Sequence, residues 1–503
     1  MATGKINKTL AWGMTLVLAG GVLASCSNGK SGSGSSPGPS GSNAGAPVTL
    51  TYVSPGSAPT DAAKRFDAIN KKLAADGLNI KVDFQFIGWD AWEQKTNLML
   101  SSNEAFDNLT IMEDLIKTSA YAGRGAIVPI DSYLEKYPNL KKAFPDYVWD
   151  GMKINGKIYS IPVFYREWAN DYEMITYRSD LLKKYNLQPP KTQAEMLAAA
   201  EKIKAGEKDM NLNITLKPNT IMNFIHREYE AYPFSVIDDL IYVDQKGNVK
   251  SWMETPEFKQ DNAFMNSLFK KNLINPDILT LPLDQVTKPS QEGTFIFNFG
   301  TLYDFWNPMH AAKPEATIDT LRLAPDKAWF RPLLMNNANV IPKTSKHPEE
   351  MIKFYDWLYG KQENYDLLAY GIKDDWWKDA GAGKMEQLHP QGTEVGFSEW
   401  KIGYYKFVRV PQTAHPKYAE TLQINDKAVN SVTVGFTFDT TPVSVEYANL
   451  LAEVKTSIYP LKMGVVEYDK FYATALSKMK AAGLDKVVAE YDKQFKAFLA
   501  GKK

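Results

Sequence analysis

From Val48 onward the sequence switches repeatedly between a two-residue and a 3.6-residue hydrophobic period, and this alternation limits the fold more than any other feature. Residues 48–53 read as a strand, 60–75 as an amphipathic helix, 80–87 as a strand, 89–101 as a helix and 109–112 as a buried strand. Strands that each lead into a helix build a sheet covered by helices, so the fold class is α/β. The pattern resumes with strands at 157–162 and 174–178, helices from 179 and over 192–205 and 256–271, and a short strand at 294–299. An extended segment, 333–341, precedes a helix at 348–359 whose start is marked by Pro342 and the Lys346-His347-Pro348 turn. Helices are expected at 446–459, 469–482 and 484–500, and no internal repeat is visible.

The N-terminus is of a different kind. Lys5 and Lys8 precede an uncharged apolar run, 10–23, that ends in Leu23-Ala24-Ser25-Cys26. The run is short and broken by glycine, and small residues stand just before the cysteine, so 1–25 reads as a cleaved signal peptide. Leu-Ala-Ser-Cys resembles the lipobox of bacterial lipoproteins, which implies that Cys26 is diacylated and becomes the new N-terminus. Two acyl chains make a stable anchor where one is marginal. Residues 26–46 are almost all small, with a single charge, and form a flexible tether. Residues 24–31, ASCSNGKS, loosely match a phosphate-binding loop, but such a loop needs a strand before it and a helix after it, and neither is present.

Composition removes several classes of function. The 58 basic and 58 acidic residues balance, which gives no argument for a nucleic-acid partner. Cys26 is the sole cysteine, so no disulfide holds the body together. The five histidines, His226, His310, His347, His389 and His415, show no metal-binding spacing. Asp209, Asn211 and Asn213 imitate the start of a calcium loop, yet Ile214 and Thr220 stand where its glycine and bidentate glutamate belong. No cofactor and no metal is expected. There is no G-x-S-x-G motif and no cysteine nucleophile in the body; a glycosidase, which needs only two carboxylates, is the enzyme alternative.

The order of segments carries a resemblance. Gly88-Trp89-Asp90 opens a helix, GKIYSIP (156–162) and MITYRSDLLKKYNL (174–187) follow, and then IPKTSKHPEEMIKFYDWLY (341–359). Together they resemble extracellular solute-binding protein family 1, the ligand receptors of ABC importers, over essentially the whole mature chain. Gly435-Phe436-Thr437-Phe438-Asp439, Gly464-Val465-Val466 and 481–485 look like a C-terminal domain of unknown function found in an LplA-like branch linked to oligosaccharide uptake. The resemblance implies a two-lobe Venus-flytrap fold, with 47–172 plus 342–432 as one lobe and 173–341 plus 433–503 as the other. The crossings between them are expected near 172–178, 333–341 and 432–442. It also implies a monomeric receptor on the extracytoplasmic face of a Gram-positive cell membrane, partnered by permease subunits and a small-molecule solute. One departure is Tyr370-Gly371-Ile372-Lys373-Asp374-Asp375, where relatives tend to read Tyr-Gly-Ile-Glu-Gly before an aromatic, so a ligand contact there does not carry over by itself.

A sugar presents flat apolar faces edged by hydroxyls, so its site needs Trp or Tyr platforms rimmed by carboxylates, amides or arginine. Segments with that mixture give the candidate ligand-binding residues: Trp89 and Asp90; Glu113 and Asp114 just past a strand; Tyr165, Arg166, Glu167, Trp168 and Tyr172 before the first crossing; Trp306; Asn337 and Asn339 at the second crossing; Trp376 and Trp377; and Phe436. Core packing is the competing reading for each aromatic, and helix-starting carboxylates are the competing reading for Glu113 and Asp114. A receptor for a non-sugar solute and a sensory or scaffold lipoprotein stay open beside the oligosaccharide receptor.

Overall fold

The computed structural model describes residues 46–113, 117–164, 172–207, 213–299, 306–332, 334, 337–389, 397, 399–424 and 427–501. The strands of three of its sheets are, in chain order, β1 (Val48–Pro55), β2 (Ile80–Ile87), β3 (Asn108–Met112), β4 (Ser160–Pro162), β5 (Ile175–Arg178), β6 (Asn213–Thr215), β7 (Phe234–Ile237), β8 (Ile241–Asp244), β9 (Val249–Ser251), β10 (Phe295–Phe299), β11 (Ile318–Leu321) and β12 (Asn337–Val340).

The first sheet runs β2-β1-β3-β12-β4. Its edge strand β2 buries Ile80, Val82 and Phe84 and exposes Lys81, Asp83 and Gln85, whereas central β3 is buried at every position, as expected for a strand covered on both faces. β1 is parallel to β2 and β3, and β12 returns antiparallel to β3, with Asn337 opposite Met112 and Val340 opposite Leu109. The helix Pro348–Gly360 starts on a proline at its first turn with Glu349 and Glu350 behind it, and buries Met351, Phe354, Tyr355 and Leu358 in the core of this lobe.

The second lobe carries a sheet in the order β11-β5-β10-β6, with its own core around Ile175, Ile203, Ile296 and Phe297. A third sheet, β9-β8-β7, packs with the C-terminal helices Ser444–Glu453, Tyr468–Ala481 and Leu484–Gly501 around Trp252, Leu450, Tyr491 and Phe495. This sheet was not expected from the sequence.

One expectation about the lobes is corrected. β12 was assigned to the second lobe, but its ladder bonds run to β3 and β4, so the second lobe ends before Asn337. Residues 413–417 touch the second lobe: the Asn307 amide donates to the Thr413 hydroxyl at 3.3 Å, His415 bonds the Ile318 carbonyl at 3.2 Å, and Lys417 pairs with Asp319. Near the crossings, Phe330–Arg331 and Val429–Asn430 pair as two short parallel strands.

Candidate ligand site at the sheet edge

In the first sheet the C-terminal ends of β1, β2, β3 and β4 and the start of β12 share one edge, as the register requires. The chain leaves β4 towards the second lobe from this edge and returns from that lobe into β12 at the same edge. It therefore faces the second lobe, and open α/β sheets bind ligands beyond such strand ends.

Four candidates lie along it. Trp89, two residues past β2, is 56 % exposed and takes no part in the buried core. Asp90 beside it is exposed. Glu113, immediately after β3, is half-buried, and its two carboxylate oxygens lie 3.1 and 3.2 Å from the Thr118 amide, with the Thr118 hydroxyl also donating to it. Asn337 opens β12 opposite Met112; it is buried, and its amide donates to the Trp400 carbonyl at 3.0 Å, so it supports the edge from within.

Trp400 completes the edge. It sits on the short helix Glu399–Ile402, and its ring lies 5.7 Å from that of Trp89 at 32°. The ammonium of buried Lys401 lies 4.9 Å from the Trp400 ring and 5.7 Å from the Phe86 ring, within the range of cation–π attraction. The sequence reading missed Trp400; the neighbouring Glu399 was the one available signal of a polar-rimmed aromatic. The two indoles, with carboxylates and an amide along the same edge, offer an apolar platform with hydrogen-bonding groups at its rim.

Other candidates are placed elsewhere. Asn339 is fully buried: its Oδ1 accepts from the Tyr52 hydroxyl (3.1 Å), the Thr110 hydroxyl (2.9 Å) and the Asn108 amide (3.3 Å), and its own amide donates to the Lys401 carbonyl (2.8 Å). It stitches strands together, and no face of it is left for a ligand. Trp376 and Trp377 are buried in the first lobe's core, the former stacked on His389 at 4.0 Å and beneath Arg65, the latter beneath the Arg409 guanidinium at 4.5 Å. Gly371, at φ 87°, makes room for Arg65, since a Cβ there would stand 2.7 Å from its guanidinium. Phe436 packs on Tyr491 and Phe495, each at 5.0 Å, and so clamps the C-terminal helix. Trp306 is half-buried between the rings of His310 (5.2 Å) and His415 (5.0 Å), and Tyr172 is half-buried against the first lobe's core. Asp114, Tyr165, Arg166, Glu167 and Trp168, like Cys26, lie outside the described residues.

A cavity of 360 Å³ opens beside Tyr177, Ser179 and Leu187, at the far end of β5 from the first crossing. Its one aromatic, Tyr177, is buried, so it offers no platform comparable to the Trp89–Trp400 pair.

Two α/β lobes joined by several crossings, with an aromatic edge of one turned towards the other, define a two-lobe solute receptor. The bacterial extracellular solute-binding protein family matches residues 56–365, and this chain belongs to that family. A domain of unknown function matches 432–500, the region of the C-terminal helices. The chain is 25 % identical over 451 residues to a carbohydrate ABC transporter substrate-binding protein of Streptococcus pneumoniae, covering 86 % of this chain and 87 % of the relative. Among solved structures it shares the fold of the N-glycan transport solute binding protein NgtS from S. pneumoniae, with a TM-score of 0.75, 20 % identity and coverage of 91 % of this chain and 100 % of that one. It likewise resembles S. pneumoniae FusA in complex with kestose, with a TM-score of 0.63, 19 % identity and coverage of 90 % and 100 %. Among the described residues no helix is long and apolar enough to cross a membrane.

Proposed function

We propose that this protein is the receptor of an ABC importer, capturing an oligosaccharide between its lobes on the platform formed by Trp89 and Trp400 and delivering it to a membrane permease. The observation that carries the reading is the indole pair of exposed Trp89 and half-buried Trp400, 5.7 Å apart, on the sheet edge that faces the second lobe. Relatives named for carbohydrate, N-glycan and fructooligosaccharide binding support the same ligand class. Asp90 and Glu113 supply hydrogen bonds in place of the water that the sugar hydroxyls lose, and Asn337, Tyr165, Arg166, Glu167, Trp168 and Tyr172 are the further contacts of this reading. Because a ligand touching both lobes favours the closed arrangement, it shifts the population towards that form, which the permease then engages. The chain acts as a monomer without catalysis, held on the extracytoplasmic face by lipid on Cys26 and by its tether, which raises its effective concentration at the permease.

The experiment is a glycan array probed with fluorescently labelled protein, alongside peptides and polyamines. Binding to saccharides alone is expected; binding to a peptide or polyamine with every saccharide blank would refute the ligand class.

A further inference from the structure

β7 and β8 form a hairpin whose two turn residues, Asp238 and Asp239, both have left-handed backbones, at φ 54° and 58°. The Leu240 amide closes the turn on the Ile237 carbonyl at 2.9 Å. Two-residue turns of this kind favour Asn-Gly, because a Cβ is disfavoured at positive φ, so an Asp-Asp pair needs compensation from its side chains. Both carboxylates are engaged. Asp239 takes the Lys462 ammonium at 2.7 Å within its own lobe. Asp238 reaches out of its lobe: its oxygens lie 2.8 and 3.1 Å from the ammonium of Lys117, and the Tyr447 hydroxyl, from the helix Ser444–Glu453, donates to it as well.

Lys117 belongs to the first lobe and directly precedes Thr118, whose amide and hydroxyl are bonded to Glu113 at the ligand edge. No backbone crossing runs between Lys117 and Asp238, so their pair is a link between the lobes that acts alongside the covalent hinges. Burial favours the neutral form of Asp238, but the charge of Lys117 and the hydrogen bonds from Lys117 and Tyr447 outweigh it and hold the carboxyl below the usual aspartate range. The pair therefore stays ionised at neutral pH. Asp238 has 24 % of its side chain exposed and Lys117 46 %, so salt weakens the attraction without abolishing its geometry.

We propose that Lys117 and Asp238 form a latch across the two lobes that sets their resting separation. A contact present at one separation and absent at a wider one biases the populations by its whole differential strength. On the reading of Glu113 as a ligand carboxylate, Lys117 is also a positioning residue for binding, because a ligand that draws Glu113 away from Thr118 disturbs the latch.

The body has no cysteine, so two spin labels can report the separation in a chain carrying Cys26→Ser with Lys71→Cys on the helix Ala62–Ala75 and Lys493→Cys on Leu484–Gly501. Both lysines are more than two-thirds exposed, so labelling leaves the core intact. Dipolar spectroscopy without ligand should give a distance distribution that broadens and moves to longer values in Lys117→Met and Asp238→Asn, and that Lys117→Arg restores. An unchanged distribution in Lys117→Met overturns the latch, as does a shift that Lys117→Arg shares. Because Lys117 is half-exposed, its variants keep the test decisive even where Asp238→Asn fails to fold. No saccharide enters the measurement, so its failure is distinct from failure of the ligand assignment.

Discussion

The Tyr52 hydroxyl, on β1, donates to Asn339 Oδ1, on β12, across 3.1 Å in the centre of the first lobe. Around them the Tyr355 hydroxyl donates to Asn108 Oδ1 at 2.8 Å and lies 3.0 Å from the Tyr52 oxygen, so β1, β3, β12 and the helix Pro348–Gly360 share one buried polar network. Burial raises the Tyr52 and Tyr355 hydroxyls well above the usual tyrosine range and keeps them protonated as donors. Replacing Asn339 by Ala removes the acceptor shared by the Tyr52 and Thr110 hydroxyls and the Asn108 amide, and the donor to the Lys401 carbonyl. A loss of about 2–4 kcal/mol is expected in urea denaturation, since each orphaned buried group costs roughly 1–3 kcal/mol and neighbouring losses do not add fully. Saccharide affinity of the folded variant should be unchanged. A stability equal to the parent contradicts the network.

At the first crossing, Glu173 is fully buried, 2.8 Å from the Arg227 guanidinium and bonded by the Tyr232 hydroxyl. Arg227 also donates to the carbonyls of Leu323, Ala324, Lys327 and Ala328 at 2.7–3.0 Å, which ties the crossing to the loop after β11. Glu173→Ala strands a buried cation, so about 3–5 kcal/mol of stability should disappear in the same denaturation assay. Glu173→Gln, which retains a hydrogen-bond acceptor for Tyr232, should lose less. Equal losses in the two variants would show that charge and hydrogen bonding are not what Glu173 supplies.

His415 holds residues 413–417 against the second lobe. Its Nε2 faces the Ile318 carbonyl and its Nδ1 accepts from the Lys417 amide, each at 3.2 Å, so the neutral ring with its proton on Nε2 satisfies both. Burial lowers its affinity for a second proton below that of an ordinary imidazole, and the Ile318 carbonyl and Asp319 oppose this in part. A base depressed in the folded state contributes stability that is whole above its unfolded value of about 6.5 and is lost as pH falls below it through the lower folded value. Thermal unfolding of His415→Gln should therefore change less between about pH 7.5 and about pH 5.5 than that of the parent. Parallel pH profiles would contradict the assignment.

The strands of the first sheet were legible because alternation in residues 80–87 and the short apolar run at 109–112 are local signals. The third sheet was not. Its strands are three or four residues long, and its turn is Asp238-Asp239, held open by Lys117, Tyr447 and Lys462 from distant parts of the chain. Of the residues at the proposed site, Trp89, Asp90, Glu113 and Asn337 could be named from their places at predicted strand ends, whereas Trp400 stands on a four-residue helix with no periodic signal around it. Trp376 and Trp377 read as a ligand wall because adjacent tryptophans beside two aspartates have the mixture of groups that a sugar platform needs. Arg65 and Arg409, which cover them, come from elsewhere in the sequence. Asn339 misled for the same reason: a polar residue in a strand reads as a ligand contact until its buried partners are known.

Cys26→Ala should abolish incorporation of radiolabelled palmitate and release the protein from the membrane, because one acyl chain binds marginally and none does not bind. The released protein should retain its saccharide affinity, since the proposed platform residues all come from the chain after Val48. Persistence of the variant in the membrane fraction would contradict the anchor.

The central claim is that a saccharide rests on Trp89 and Trp400. Calorimetric titration of the best array ligand into the parent, Trp89→Ala, Trp400→Ala and the double variant tests it most directly. A stacked aromatic contact is worth about 0.5–1.5 kcal/mol, so each single variant should weaken binding by roughly twofold to tenfold, and the double variant by more. Trp89→Ala should melt with the parent, because that ring is mostly exposed. Undiminished affinity in a folded double variant would place the ligand elsewhere and contradict the account.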